Sequence, residues 1–212
     1  MTGRLIRREV RRGLQGAAWL PVAFFLLVAT IVPFAVGPDA RLLARIGGGA
    51  LWIAALTAAL MPIERLVEPD RADGVLDQLA LTGMTEEAIG AAKMAGHWLT
   101  FGPLLLFAAV PGSFLVGLDG PALGRCLISL AIGTPALAAM AVAVAALTAG
   151  LPRAGALAGL LMMPLAVPLV IFGAAATGDS ESAALKLEAA VALLLVAGAP
   201  FVAGAAIRAS RT

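Results

Sequence analysis

Charge in this chain is confined to the ends of apolar runs, each long enough to cross a lipid bilayer, and no other feature limits its fold so strictly. A hydrocarbon core of ~30 Å takes about 20 helical residues. Runs of that kind lie at 17–36, 47–65, 95–116, 123–148, 156–176 and 185–207. The expectation is an all-α, polytopic membrane protein of about six spans, with residues 1–212 as a single transmembrane domain. Hydrophobic residues make up 61% and charged residues 13% of the chain, against roughly 25% charged in soluble domains. The first run is too long for the ~7–15-residue core of a signal peptide and is followed by further runs, so it reads as a retained span.

Proline and glycine punctuate the runs. Gly37-Pro38-Asp39, Gly117 to Pro121 and Gly150 to Arg153 read as turns, and Gly47-Gly48-Gly49 as the lead into the second span. Pro135 within the fourth span predicts a kink, and Pro164 and Pro168 predict a bent or broken fifth span. Asp179 or Ser180 would cap the last helix.

Residues 1–16 carry Arg4, Arg7, Arg8, Arg11 and Arg12, with Ile6, Val10 and Leu14 at helical spacing. This pattern predicts a basic interfacial helix lying apolar side down on an anionic leaflet, with membrane lipid as its partner. With the N-terminus inside, Arg65, Arg71, Lys93, Arg153, Arg208 and Arg211 join those five arginines on the cytoplasmic side. Arg41, Arg45, Arg125 and Lys186 lie outside, so eleven of the fifteen basic residues are cytoplasmic. The positive-inside rule then places both termini in the cytoplasm. The basic residues flank apolar runs rather than cluster on a soluble face, and no nucleic-acid partner is expected.

The stretch 64–93 is different. It holds seven of the thirteen acidic residues, Glu64, Glu68, Asp70, Asp73, Asp77, Glu86 and Glu87, among Arg65, Arg71 and Lys93. Leu76, Leu79 and Leu81 interrupt the acids, and Gly74 suits a turn between short helices. A free connector would expose those leucines. A partner-facing cytoplasmic element would bury them, with apolar anchors at its centre and charges at its rim.

Catalytic chemistry is scarce. The single cysteine, Cys126, can form neither an intrachain disulfide nor a cysteine-based metal site. Neither lysine follows a phosphate-binding glycine turn: Lys93 precedes Met94 and Lys186 precedes Leu187. The chain is not expected to be an enzyme by itself, and any ATP would be bound by another chain. His97, beside Trp98, is the one residue suited to ligating haem or relaying protons, and the same pair would also serve as an interfacial anchor. Glu188 and Arg125 are expected at outer span ends, leaving little intramembrane charge for a coupled carrier. The alanines at 138, 139, 141, 143, 145 and 146 would permit close helix packing and self-association.

An ordered set of short motifs runs from 37 to 173. It comprises Gly37-Pro38 with Leu42 to Ile46, Trp52 to Leu56, and Glu64-Arg65-Leu66. Within the acidic stretch come Asp73-Gly74, Leu76, Gln78-Leu79, Leu81 and Ala92-Lys93, followed by His97-Trp98. Gly133-Thr134-Pro135, Leu147-Thr148, Gly150-Leu151, Arg153 with Gly155, Pro164-Leu165 with Pro168, and Ile171-Phe172-Gly173 complete it. In this the chain resembles the CcmB family, the haem exporter permease subunit of bacterial cytochrome c maturation and an ABC-2-like membrane protein. The family's loop usually reads G-S-L-E-Q-L-x-L-x-P; here Val75, Asp77 and Gly83 stand at its serine, glutamate and proline.

The resemblance implies a permease subunit of the bacterial inner membrane, present in two copies, with ATP on a separate ATPase subunit, CcmA. It implies haem as the substrate and CcmC, CcmD and the haem chaperone CcmE as partners, with ATP hydrolysis coupled to haem export or to release of the loaded chaperone. The coupling stretch would then be carried by Glu64, Arg65, Asp70, Asp73, Gly74, Leu76, Asp77, Leu79, Leu81 and Lys93. Two other readings remain open at this level: an ATPase-independent carrier of a small molecule or lipid, and a non-transporting assembly scaffold.

Overall fold

The computed structural model describes residues 1–15, 19–178 and 181–211, so the expected cap at Asp179 or Ser180 lies outside the described residues, as do positions 16–18, where the first span was expected to begin. Among the described residues every regular element is helical. In chain order these are α1 (Thr2–Gln15), α2 (Trp19–Val36), α3 (Ala40–Leu60), α4 (Glu68–Ala72), α5 (Val75–Leu81), α6 (Glu86–Leu115), α7 (Gly120–Thr148), α8 (Ala154–Ala176) and α9 (Glu181–Ala209), with a 3-10 turn at Ile63–Arg65. Six of them, α2, α3, α6, α7, α8 and α9, are long and apolar enough to cross a membrane.

Three helices begin where a short polar side chain can accept a bond from an otherwise orphaned backbone N–H. Asp39 Oδ1 accepts from Leu42 N at 2.9 Å to open α3, Thr85 Oγ1 from Ala88 N at 3.2 Å to open α6, and Asp119 Oδ1 from Ala122 N at 2.8 Å to open α7. The helices therefore extend beyond the apolar runs. α3 begins at Ala40, and α6 begins at Glu86, so the end of the acidic stretch is already part of a long helix.

The three glycines at 47–49, read as the lead into the second span, lie inside α3. They let neighbouring chain come close: a Cβ at Gly48 would lie 1.8 Å from Thr177 Oγ1, and one at Gly47 would lie 2.9 Å from Val116 Cγ2. Pro164 and Pro168 do not break α8, which is helical from Ala154 to Ala176.

α7 is the central helix, packed against α6, α8 and α9 and buried on nearly all sides. Ala138, Ala139, Ala141, Ala143, Ala145 and Ala146 are all buried within the one chain. Their small side chains serve close internal packing, and none of that row is left for self-association. The large apolar side chains that remain exposed, such as Phe34, Phe107, Phe114, Leu160, Leu193 and Leu194, lie on the long outer helices. In a bilayer that exposure is the normal state of a lipid-facing side chain.

The deepest polar contacts tie three helices together. Trp52 of α3 is fully buried, and its Nε1 donates to Ser129 Oγ of α7 at 2.9 Å. Ser129 Oγ donates in turn to the carbonyl of Gly173 in α8 at 3.1 Å. Beside them is Glu188 of α9, whose Oε1 would lie 3.1 Å from a Cβ at Gly133. Glu188 is fully buried, and neither carboxyl oxygen has a hydrogen-bond partner. Expected at an outer span end, it is instead an interior residue, because α9 begins at Glu181 and carries position 188 two turns into the bundle. Arg125 does stay near that end, half-buried, donating from Nε to the Thr177 carbonyl at 3.2 Å.

Candidate functional site

The acidic stretch, both chain ends and the α7–α8 turn meet at one end of the bundle. Pro62 and Pro69 flank the passage out of α3, and proline near a helix start costs no backbone bond. Gly74 has φ +68°, a left-handed conformation that glycine adopts at little cost, and it turns α4 into α5. Gly83 closes α5 at φ +81°, which proline, locked near −65°, cannot adopt.

Asp70 is the centre of the cluster. It is 1% exposed, and three cations converge on it from two other helices. Arg8 grips both carboxylate oxygens at 2.7 and 3.1 Å, Arg12 reaches Oδ1 at 2.5 Å, and Lys93 of α6 donates to Oδ2. Lys93, itself 2% exposed, also donates to the Leu66 carbonyl at 2.9 Å and lies 3.5 Å from Glu9. The bond to Asp70 pushes the Arg8 guanidinium up from its usual range, and burial opposes this only in part. Two members of the expected partner-facing set, Asp70 and Lys93, are thus spent inside the chain.

The same cluster ties down the first helix. Leu5 of α1 is buried, Ile6 packs on the core, and α1 lies along α6. Two glycines allow the close crossing. A Cβ at Gly96 would lie 2.4 Å from the Cβ of Glu9, and one at Gly13 would lie 2.7 Å from Thr100 Cγ2. Arg4, Arg7 and Arg11 are left on the exposed face.

The other chain end grips the far side of the same stretch. Arg211 donates to Asp77 Oδ1 at 2.7 Å and to Glu86 Oε1 at 2.9 Å, while Arg208 pairs with Glu87 at 2.7 Å and Glu86 at 3.3 Å. These pairs are solvent-reachable, and screening by water leaves each a small part in stability. Glu68 accepts from the Gly150 backbone at 2.7 Å and pairs with Arg71 at 2.8 Å; the carboxylate of Glu64 lies against Gly155. Both contacts bring the α7–α8 turn to the same end.

The expected coupling residues thus divide. Asp70, Leu76 and Lys93 are buried, Leu79 is half-buried against the core, and Gly74 shapes the turn. Glu64, Arg65, Asp73, Asp77 and Leu81 remain exposed, Leu81 at 87%. Within α5, Leu76, Leu79 and Ala80 turn inward and Asp77, Gln78 and Leu81 turn outward, one apolar side chain in a polar surround. Arg8, Arg12, Glu9, Arg208 and Arg211 had no place in the expected set. Their only sequence signal was an excess of arginine at both chain ends, matching the excess of acid at 64–93.

His97 and Trp98 part company. Trp98 Nε1 donates to Thr134 Oγ1 of α7 at 3.2 Å, a tie between two spans. His97 is 6% exposed, stacked on Phe101 with ring centroids 5.5 Å apart, and its Nε2 has no hydrogen-bond partner. Among the described residues no three or more histidine, cysteine, aspartate or glutamate side chains gather to hold a metal ion.

Residues 1–210 match the CcmB protein family. The sequence is 42% identical to the heme exporter protein B of Rhodobacter capsulatus, over 96% of this chain and 97% of the relative. It is 44% identical to that of Paracoccus denitrificans, over 96% and 94%, and 38% identical to that of Escherichia coli, over 99% of both.

Proposed function

This chain belongs to the CcmB protein family, and from that premise we propose that it is the membrane subunit of a haem-export system for cytochrome c maturation, moved by a separate ATPase subunit docked on its charged end. It is a multi-pass protein of the bacterial inner membrane. Haem is the cargo of the system, ATP is bound by the partner chain, and residues 64–93 form the cytoplasmic coupling segment. Both chain ends, Lys93 and the α7–α8 turn gather at that same end, which carries most of the basic residues and so faces the cytoplasm. The exposed stripe of Arg4, Arg7 and Arg11 there is suited to anionic headgroups.

The observation that carries the docking role is Leu81. At a water-facing end it is a large apolar side chain almost wholly uncovered, on a short helix whose other face is anchored by buried Leu76. A partner groove that buries it gains roughly 1.5–3 kcal/mol. Leu81→Asp is therefore expected to abolish co-purification with the ATPase, with membrane insertion and melting temperature unchanged. Retained co-purification would remove α5 from the interface. Leu79, half-buried against the core, makes a poorer probe because its replacement also disturbs packing.

Glu188 favours a second reading, that the chain carries a solute without an ATPase. An ionisable group buried within a membrane-spanning bundle marks a functional candidate. Uptake into vesicles holding this chain alone, lost in Glu188→Gln, would establish that reading; equal background flux in both would dismiss it.

A further inference from the structure

A cavity of about 420 Å³ opens at the charged end, between α1, the start of α2, the end of α3, the Pro62–Pro69 connection and α6. Ligand pockets span about 300–1,000 Å³. Its walls combine two chemistries. Leu20, Met61 and Phe101 give it apolar faces, and Arg12, Arg65 and Lys93 give it a cationic side. The one acid on the wall, Glu9, is held by Arg8 at 2.9 Å and lies 3.5 Å from Lys93. Arg8, Arg12 and Lys93 outnumber Glu9 and Asp70, so the cluster beside the cavity carries an excess of positive charge.

His97 also lines this cavity, with Thr100 and Gln15 among its other polar wall residues. A buried polar atom without a partner is rare enough in a folded protein to need a cause, and the Nε2 of His97 is such an atom. Phe101 stacks on the imidazole at an interplanar angle of 20° and restricts the plane of the ring. A phospholipid would satisfy the cationic side and the apolar walls but offers nothing that a ring nitrogen must bind. A flat apolar ligand with anionic groups at one edge and a metal at its centre accounts for all three features, and imidazole nitrogen is a common haem-iron ligand.

We propose that this cavity receives haem, with the propionates on the Arg12–Arg65 side and His97 Nε2 as the iron ligand. The assignment rests on haem being the cargo. It adds a place within this chain where the cargo is bound, beside the Asp70 cluster and at the end where the coupling segment sits. Trp98, bonded to Thr134, takes no part.

The test uses the full chain in nanodiscs of zwitterionic phospholipid, titrated with ferric haem and followed by visible absorption and resonance Raman spectra. Saturable uptake with an imidazole-ligated spectrum is expected in the wild type. His97→Ala should lose that signature and weaken haem binding about tenfold or more. His97→Met, which keeps an iron ligand, should move the spectrum without abolishing uptake. Equal melting temperatures among the three proteins guard against a folding effect. Uptake indifferent to His97→Ala overturns the proposal, as does haem fully displaced by anionic phospholipid. If this chain takes up no haem while its complex with the ATPase still shows haem-dependent ATP hydrolysis, the cavity assignment falls and the family role stands. Loss of that hydrolysis in the wild-type complex would instead count against haem as cargo.

Discussion

Asp70→Ala is expected to destabilise the protein by roughly 3–5 kcal/mol and to free α1 from the bundle. Removing one partner of a buried ion pair leaves the other charge without compensation, and that is the costly case. Here the abandoned charge is Lys93, 2% exposed and left with the Leu66 carbonyl and a distant Glu9. Arg8 and Arg12, at least a third exposed, can turn to water, so Lys93 bears most of the penalty. The loss should be read as a lowered melting temperature in detergent together with new tryptic cleavage among the arginines of α1. Asp70→Leu combined with Lys93→Met removes both buried charges and should melt above the single variant. An unchanged melting temperature in Asp70→Ala would show that the cluster does not hold α1 down.

The second large effect is expected where Trp52 crosses α7 and α8. A methyl group at Gly133 would lie 2.0 Å from Trp52 Cη2, and one at Gly173 would lie 2.2 Å from Trp52 Cε2. The indole cannot slide aside without giving up its bond to Ser129. Overpacking of a rigid core costs about 1–3 kcal/mol, and Gly133→Ala should fall at the upper end. Trp52→Ala, which empties the same space, should cost about 3–5 kcal/mol. The informative protein is the pair: Gly133→Ala with Trp52→Leu should be less destabilised than the two single effects added together, because the smaller side chain makes room for the methyl. Strict additivity in denaturation would mean that the glycine serves something other than the tryptophan.

The spans were legible in the sequence because length and apolarity are local properties, and each of the six predicted runs corresponds to a long helix. Their limits were less so. A helix continues beyond the hydrocarbon wherever a cap and good helix formers allow, and Thr85 starts α6 well before the apolar run. Gly47-Gly48-Gly49 read as the lead into the second span and lies inside α3; the reason for glycine at 48, the side chain of Thr177 packed against it, comes from far along the chain. At the candidate site, the acids at 64–93 were plain and their partners were not. Arg8 and Arg12 lie 62 and 58 positions from Asp70, and no periodicity links them. Glu188 was misplaced for a similar reason: its depth depends on where α9 begins, which a uniform apolar run does not mark.

The grip of Arg208 and Arg211 on the acidic stretch has a consequence for how the molecule is made. Arg208 and Arg211 are translated 121 to 134 positions after the acids that they neutralise. While the ribosome is still producing α7 and α8, Asp77, Glu86 and Glu87 stand on the nascent protein without those counter-ions. The acidic surface is therefore completed only once Arg208 and Arg211 have been made, so a partner that recognises the clasped form would pass over chains still at α7 or α8.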